Sequence, residues 1–311
     1  MDRYELLRPS LARPVAVAAS LAFTGSYVGV LYIFSASRVG SKRAIDEYGR
    51  PMDRNHPKVV RRRLWSVAGS SVASVVGVWA LARYSNVIPA SATVGRQVSD
   101  TLRLIGITWP RSFTTAWRTL VYPLAMTASL FMGPLYSIIA DGNVADRHDL
   151  TSLEGFRTVV AAPVLEEVVF RGCICAVSLM AGMTRRQVIF ATPLYFGLAH
   201  VHHAWDAYVS GGRTRNALLR GLTGALFQLS YTSLMGIHGA FLFLRTSSIV
   251  PPIAAHAFGN WAGLPNFVAE MRARPQSRQL IRALYVAGIV TFAYTLFSAT
   301  EPALFGGSPF W

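Results

Sequence analysis

Apolar runs about 20 residues long recur from one end of this 311-residue chain to the other. They occupy residues 15–34, 64–82, 120–140, 156–180, 222–243 and 283–298, with shorter or interrupted apolar segments at 188–200 and 249–267. A helix rises about 1.5 Å per residue, so about 20 residues cross a hydrocarbon core about 30 Å thick. Within that core a lipid-exposed segment has to satisfy its own backbone polar groups. The expected fold is therefore an all-α integral membrane protein, a bundle of about eight transmembrane helices. No internal repeat or low-complexity tract divides the chain, so residues 1–311 read as a single polytopic domain.

Composition agrees. Charged residues make up 14% of the chain and hydrophobic residues 52%, whereas soluble domains carry about 25% charged residues. The net charge of +15 is confined to the few polar segments, where each basic residue favours an anionic leaflet by about 1 kcal/mol. The most basic is an expected loop at residues 35–63, which ends on Arg61-Arg62-Arg63 and is placed on the cytoplasmic side by its charge. A high isoelectric point with no recognition motif does not make a nucleic-acid binder. The first run is too long for a signal-peptide core and no small-residue cleavage site follows, so it reads as a retained span. Residues 98–117 space Leu102, Ile105, Ile107 and Trp109 among Arg103 and Arg111, broken by Pro110. That pattern fits an interfacial amphipathic helix or a surface loop. Residues 202–220 read as a polar loop.

Three charges interrupt the run at 156–180, in Glu166-Glu167-Val168-Val169-Phe170-Arg171. A charge at membrane depth costs a few kcal/mol on insertion scales, faces protein or a watery cavity, and is read as functional by default. Three segments carry pairs at i, i+4 spacing, which puts both members on one helix face. The pairs are Glu167 with Arg171, Phe196 with His200, and His256 with Asn260. Glu166 lies about 100° of helix from Glu167, so both carboxylates cannot pair with Arg171. Glu167 is expected to be neutralised by Arg171, and Glu166 to be left free to face a cavity.

A free carboxylate, two imidazoles and a carboxamide are parts for hydrolysis. A poorly solvated glutamate suits a general base near neutral pH, and a second histidine with an asparagine suits an oxyanion site, where losing one donor costs about 3 kcal/mol. Against this stands the bland reading, in which His200, His256 and Asn260 are interhelical polar contacts, Glu167 with Arg171 is structural and Phe196 is core packing. His202, His203 and His238 read as bystanders. Cys173 and Cys175 point to different sides of one helix and form no metal or disulfide pattern, and Cys173 lacks the nearby base that a nucleophilic thiol needs. No H-E-x-x-H element is present, which disfavours a zincin-type site. Glu166, His200 and His256 are acceptable zinc ligands by type.

The order E-E-x-x-x-R, F-x-x-x-H, H-x-x-x-N on successive apolar segments resembles the type II CAAX prenyl endopeptidases, part of the wider CPBP family of intramembrane glutamate proteases. The resemblance covers residues 156–267, the expected catalytic helices; residues 1–118 carry none of the motifs. It implies that Glu166 and His200 activate water, that His256 and Asn260 stabilise the oxyanion, and that Glu167, Arg171 and Phe196 support the site. It implies catalysis with no metal or other cofactor. It also implies removal of the C-terminal aaX tripeptide from farnesylated or geranylgeranylated CaaX proteins such as Ras-type small GTPases. The place would be the endoplasmic reticulum membrane, or the plasma membrane of a bacterium. Two alternatives stay open: a membrane protease of the same fold acting on a non-prenylated peptide, and a proton-coupled transporter or non-catalytic scaffold.

Overall fold

The computed structural model describes residues 9–33, 55–110, 112–142, 144 and 149–311. Every regular element among them is helical. The first two, α1 (Arg13–Ile33) and α2 (Pro57–Tyr84), are the long apolar pair. Helix α2 begins on Pro57, whose fixed φ suits a first helical position, and His56 Nδ1 accepts from the Lys58 N–H at 3.2 Å. The helix therefore starts earlier than its apolar run. Arg61-Arg62-Arg63 lies on its opening turns rather than in a loop; residues 35–54 of the expected basic loop lie outside the described residues.

The polarity of this pair is inverted relative to a soluble helix. Ser20, Thr24, Ser70, Ser71 and Ser74 are buried, while Leu21, Trp65, Val72 and Val76 are exposed. Four of the buried hydroxyls return to carbonyls one turn back, and Ser26 meets Ser70 across the pair at 3.0 Å. Small and hydroxylated residues at a helix contact with apolar residues outside are the pattern of lipid-embedded packing.

The expected segment 98–117 divides. Helix α3 (Val94–Leu104), capped by Thr93, ends before Gly106, and α4 (Phe113–Ser129) starts beyond Pro110. The single span expected at 120–140 is two helices, α4 and α5 (Met132–Ala140), bent by 83°. Pro134 gives the reason: its ring clashes with the carbonyl four residues back, at Leu130, where the helix breaks.

Residues 153–180 form one continuous helical run, here α6, in which two turns widen to π geometry at Arg157–Ala161 and Val168–Cys173. Helices α7 (Arg185–Ala191) and α8 (Pro193–Ala199) match the expected kinked segment, with Pro193 opening the second. The expected polar loop at 202–220 instead contains α9 (His202–Ser210). Nothing in His202–Ser210 opposes a helix, and the Gly211-Gly212 pair that ends it supplies a left-handed residue at Gly212. Helices α10 (Arg215–Thr246), α11 (Val250–Ala262, opening on Pro251-Pro252), α12 (Phe267–Ala273) and α13 (Arg278–Thr295) complete the order.

The all-helical class is as expected, and the span count is not. Among the described residues, α1 and α2 are long and apolar enough to cross a membrane, and α4 with α5 makes a third if the bent pair is one span. The other apolar segments are short, as in α7, α8 and α11, or carry polar residues: α6 holds the three charges, and the 32-residue α10 is diluted by Thr, Ser, Gln, Gly and His.

Helix α6 separates two buried clusters. Cys173 packs with α1, α2 and α8 through Tyr27, Val78 and Phe196. Cys175 packs with α7, α10 and α11 through Val188, Phe243 and Ala255. The cysteines point to different sides, as their spacing predicts. The charged residues of α6 sit on the seam between the two clusters.

Candidate active site

Glu166 and Glu167 lie between the two π turns of α6. Glu167 is 1% exposed and Arg171 3%, and Arg171 Nη1 stands 3.0 Å from Glu167 Oε1. Neutralisation of Glu167 by Arg171 is thus as expected from spacing. The same Oε1 also accepts from His256 Nδ1 at 2.8 Å. With Nδ1–H given to Glu167, a protonated His256 ring also donates from Nε2, and that atom is 3.5 Å from Glu166 Oε2. Glu166 is therefore not without a partner, as its own helix had implied. Its partner comes from α11, and His256 bridges the two carboxylates.

Phe196 organises the other side chains. The Arg171 guanidinium lies over its ring, 4.5 Å from the centroid, and the His200 and His256 rings meet it edge to face at 4.7 and 5.9 Å. His200 ends α8, and its Nδ1 is 2.8 Å from the Phe196 carbonyl. A carbonyl only accepts, so Nδ1 carries the proton and Nε2 of the neutral ring is the basic atom. Asn260 Nδ2 donates to the carbonyl of Thr158, in the first π turn, at 2.9 Å.

Glycine on α10 makes room for this arrangement. A Cβ on Gly239 would stand 3.0 Å from Arg171 Nε, and one on Gly236 would stand 2.7 Å from Pro193 and 3.2 Å from Arg171 Nη2. The interruption of the apolar run at 236–239 is the recess that takes the guanidinium.

Glu166, His200, His256 and Asn260 all line one cavity of about 380 Å³, together with Glu167, Arg171 and Phe196. A smaller cavity of about 320 Å³ lies on the other side of Glu166 and His200, toward α1 and α2. Arg157, Ala162, Glu166, Phe196 and His200 form the wall common to both. An oriented carboxylate, a basic imidazole nitrogen, a second imidazole held by a carboxylate and a carboxamide surround a space able to hold a peptide bond. That is the equipment of hydrolysis by activated water.

Several side chains reach these cavities that the sequence did not mark. Tyr27 of α1 is 8% exposed and its hydroxyl interacts with the Glu166 carboxylate. A buried tyrosine hydroxyl needs a partner, and that was the one available hint. His238, read as a bystander, lines the larger cavity and pairs its Nε2 with Thr127 Oγ1 at 2.9 Å. His202 and His203, read likewise, line the smaller one. Among the described residues the donor atoms of His202, His203 and Asp206 lie within 4.8 Å of one another; the alternative zinc set of Glu166, His200 and His256 is not gathered so closely.

Fold and site define a class: an all-helical membrane protein with a carboxylate–imidazole site at the contact of several helices. The family model for "Type II CAAX prenyl endopeptidase Rce1-like" matches residues 149–262, a segment that contains all four candidate catalytic side chains. CAAX prenyl protease 2 of Homo sapiens is 32% identical over 97% of this chain and 86% of its own length. Probable CAAX prenyl protease 2 of Schizosaccharomyces pombe is 30% identical over 89% of the chain and 90% of its own length. CAAX prenyl protease 2 of Arabidopsis thaliana is 31% identical over 62% of the chain and 67% of its own length. No solved structure matches. The chain belongs to the type II CAAX prenyl endopeptidase Rce1-like family, and so is a membrane endopeptidase.

Proposed function

We propose that this protein removes the aaX tripeptide from prenylated CaaX proteins with a water activated by Glu166 and His200. The observation that carries the reading is the convergence of Glu166, His200, His256 and Asn260 on one cavity, in a chain whose relatives are CAAX prenyl proteases. Water donates a proton to Glu166 or His200 Nε2 as its oxygen bonds to the scissile carbonyl carbon. The carbonyl oxygen gains negative charge, which Asn260 and the protonated form of His256 receive as hydrogen-bond donors. The C–N bond then breaks, and the proton held by the base passes to the departing amine. Glu167 keeps His256 oriented through the Nδ1 hydrogen bond; Arg171 and Phe196 hold Glu167 and the two imidazoles in register.

The substrates in this reading are farnesylated or geranylgeranylated proteins, Ras-type small GTPases among them. The whole chain works as one polytopic unit in the endoplasmic reticulum membrane. A lipidated peptide reaches such a site from the bilayer, which fits a site buried among apolar helices.

The test is release of the tripeptide from a farnesylated CaaX peptide by purified protein. Glu166→Gln is expected to abolish release and Cys173→Ala, buried away from both cavities, to leave it. A zinc chelator is expected to change nothing. Equal cleavage of the unprenylated peptide would remove the CaaX assignment, and full activity of Glu166→Gln would remove the mechanism.

A further inference from the structure

The wall formed by Glu166 and His200 divides two unlike spaces. The smaller cavity has an apolar side made by Val28 and Leu31 of α1, Leu64 and Val67 of α2, and Leu165 of α6. Its lining also carries Tyr27 and the basic or imidazole side chains of Arg63, Arg157, His202 and His203. Arg63 and Val67 are one turn apart on α2 and line it together, so one helix face passes from apolar to cationic within about 6 Å. Val28 and Leu31 make the matching apolar strip on α1.

On the proposed function, cleavage at Glu166 and His200 splits the substrate into two unlike pieces. One carries the prenylated cysteine. The other is three residues ending in a free carboxylate, with aliphatic side chains next to the scissile bond. Extended, it is about 10 Å long. We infer that the smaller cavity is the seat of this tripeptide, with its aliphatic side chains on the α1–α2 wall and its terminal carboxylate at the guanidinium of Arg63, seconded by Arg157.

The chemistry requires such a group. A carboxylate moved out of water needs a counter-charge and hydrogen bonds, and the guanidinium fork matches a carboxylate with two parallel donors. Arg63 is near the start of α2, where a long side chain can keep its charge at the membrane edge while its stem covers apolar surface. The basic side chains of this lining have partners of their own outside it. Glu154 lies 3.6 Å from Arg157 and Asn55 accepts from it at 3.1 Å. Asp206 accepts from Tyr32 at 3.3 Å and stands 4.0 Å from His203. Arg157 also borders the larger cavity, so its loss would disturb both halves of a substrate. Arg63 borders the smaller one and is the cleaner probe. The same placement explains how the enzyme selects a chain end: a polypeptide continuing past the tripeptide offers no charge to Arg63.

The experiment compares two farnesylated CaaX peptides, identical except that one ends in a free carboxylate and the other in a carboxamide. It uses wild type, Arg63→Gln and Arg63→Lys. Wild type is expected to cut the acid with kcat/KM about 10- to 100-fold above the amide, chiefly through KM. Arg63→Gln is expected to lose most of that preference through a rise in KM for the acid, and its melting temperature in detergent reports that the variant is folded. Arg63→Lys is expected to keep part of it. Equal cleavage of acid and amide by wild type overturns the inference without any variant, as does a fall of both substrates alike in Arg63→Gln. Failure of wild type to cut the prenylated acid at all is a different result, and removes the endopeptidase reading beneath the inference.

Discussion

Glu167 serves two partners through one oxygen. Oε1 takes Arg171 at 3.0 Å and His256 at 2.8 Å, while Oε2 has no hydrogen-bond partner among the described residues. Breaking a buried pair by removing one member costs about 3–5 kcal/mol, whereas replacing both members is often neutral. Glu167→Gln and Arg171→Met are therefore each expected to lower the melting temperature in detergent, and the double variant to recover most of it. If Glu167 also orients His256, the double variant stays well below wild type in tripeptide release, because an amide does not stabilise an imidazolium. Full recovery of kcat in the double variant would make Glu167 purely structural. The i, i+4 rule exposed the Arg171 half of this network, since both residues share a helix. The His256 half joins residues 89 apart in sequence, and Tyr27 joins from α1. No local spacing encodes either contact, and this is why Glu166 read as unpartnered.

At the scale of the helix, α10 shows why an interrupted apolar run can be a built feature. Glycine costs a helix interior about 1 kcal/mol relative to alanine, so its two glycines beside Arg171 need a compensating gain. That gain is the close approach of the guanidinium, already pinned by Glu167 and Phe196. Overfilling a packed site costs about 1–3 kcal/mol. Gly239→Leu is expected to reduce melting temperature and activity together. Gly224→Leu, on the same helix where a Cβ meets nothing within 4 Å, is expected to be neutral or slightly stabilising, and equal effects at the two positions would refute the recess. The start of α11 was legible through Pro251-Pro252, whereas α2 starts at Pro57, ahead of its apolar run, and Pro193 opens α8 instead of kinking a longer helix. The bend between α4 and α5 was not, because Pro134 lies inside an apolar run whose length alone reads as one span. Helix α9 was missed because polar residues were taken for a loop when their propensity did not oppose a helix.

For the whole molecule, the decisive property is which way the apolar residues face. Val72 and Val76 of α2, Leu226 and Phe227 of α10, and Val286, Ile289 and Val290 of α13 are all exposed, while Ser and Thr of α1 and α2 are buried. Sequence composition announced a membrane protein, but an apolar run does not say which of its sides meets lipid and which meets protein, and so the count of spans was overdrawn. The orientation makes a quantitative claim. Val72 is 64% exposed near the middle of α2. On a surface in water, Val72→Lys would change stability by at most about 0.5 kcal/mol. In a bilayer the same change costs about 2.5–3.5 kcal/mol on insertion scales. Val94 of α3 is also exposed, at 77%, but lies outside the two long apolar helices, and Lys there is expected to be harmless. Alkaline carbonate extraction and flotation of membranes carrying each variant distinguish the cases. Val72→Lys is expected to shift a large fraction of the protein to the aggregated or extractable pool and Val94→Lys to leave it with the membrane. Wild-type retention and activity in Val72→Lys would mean that this face of α2 meets water, and that lipid reaches the site by some other side of the bundle.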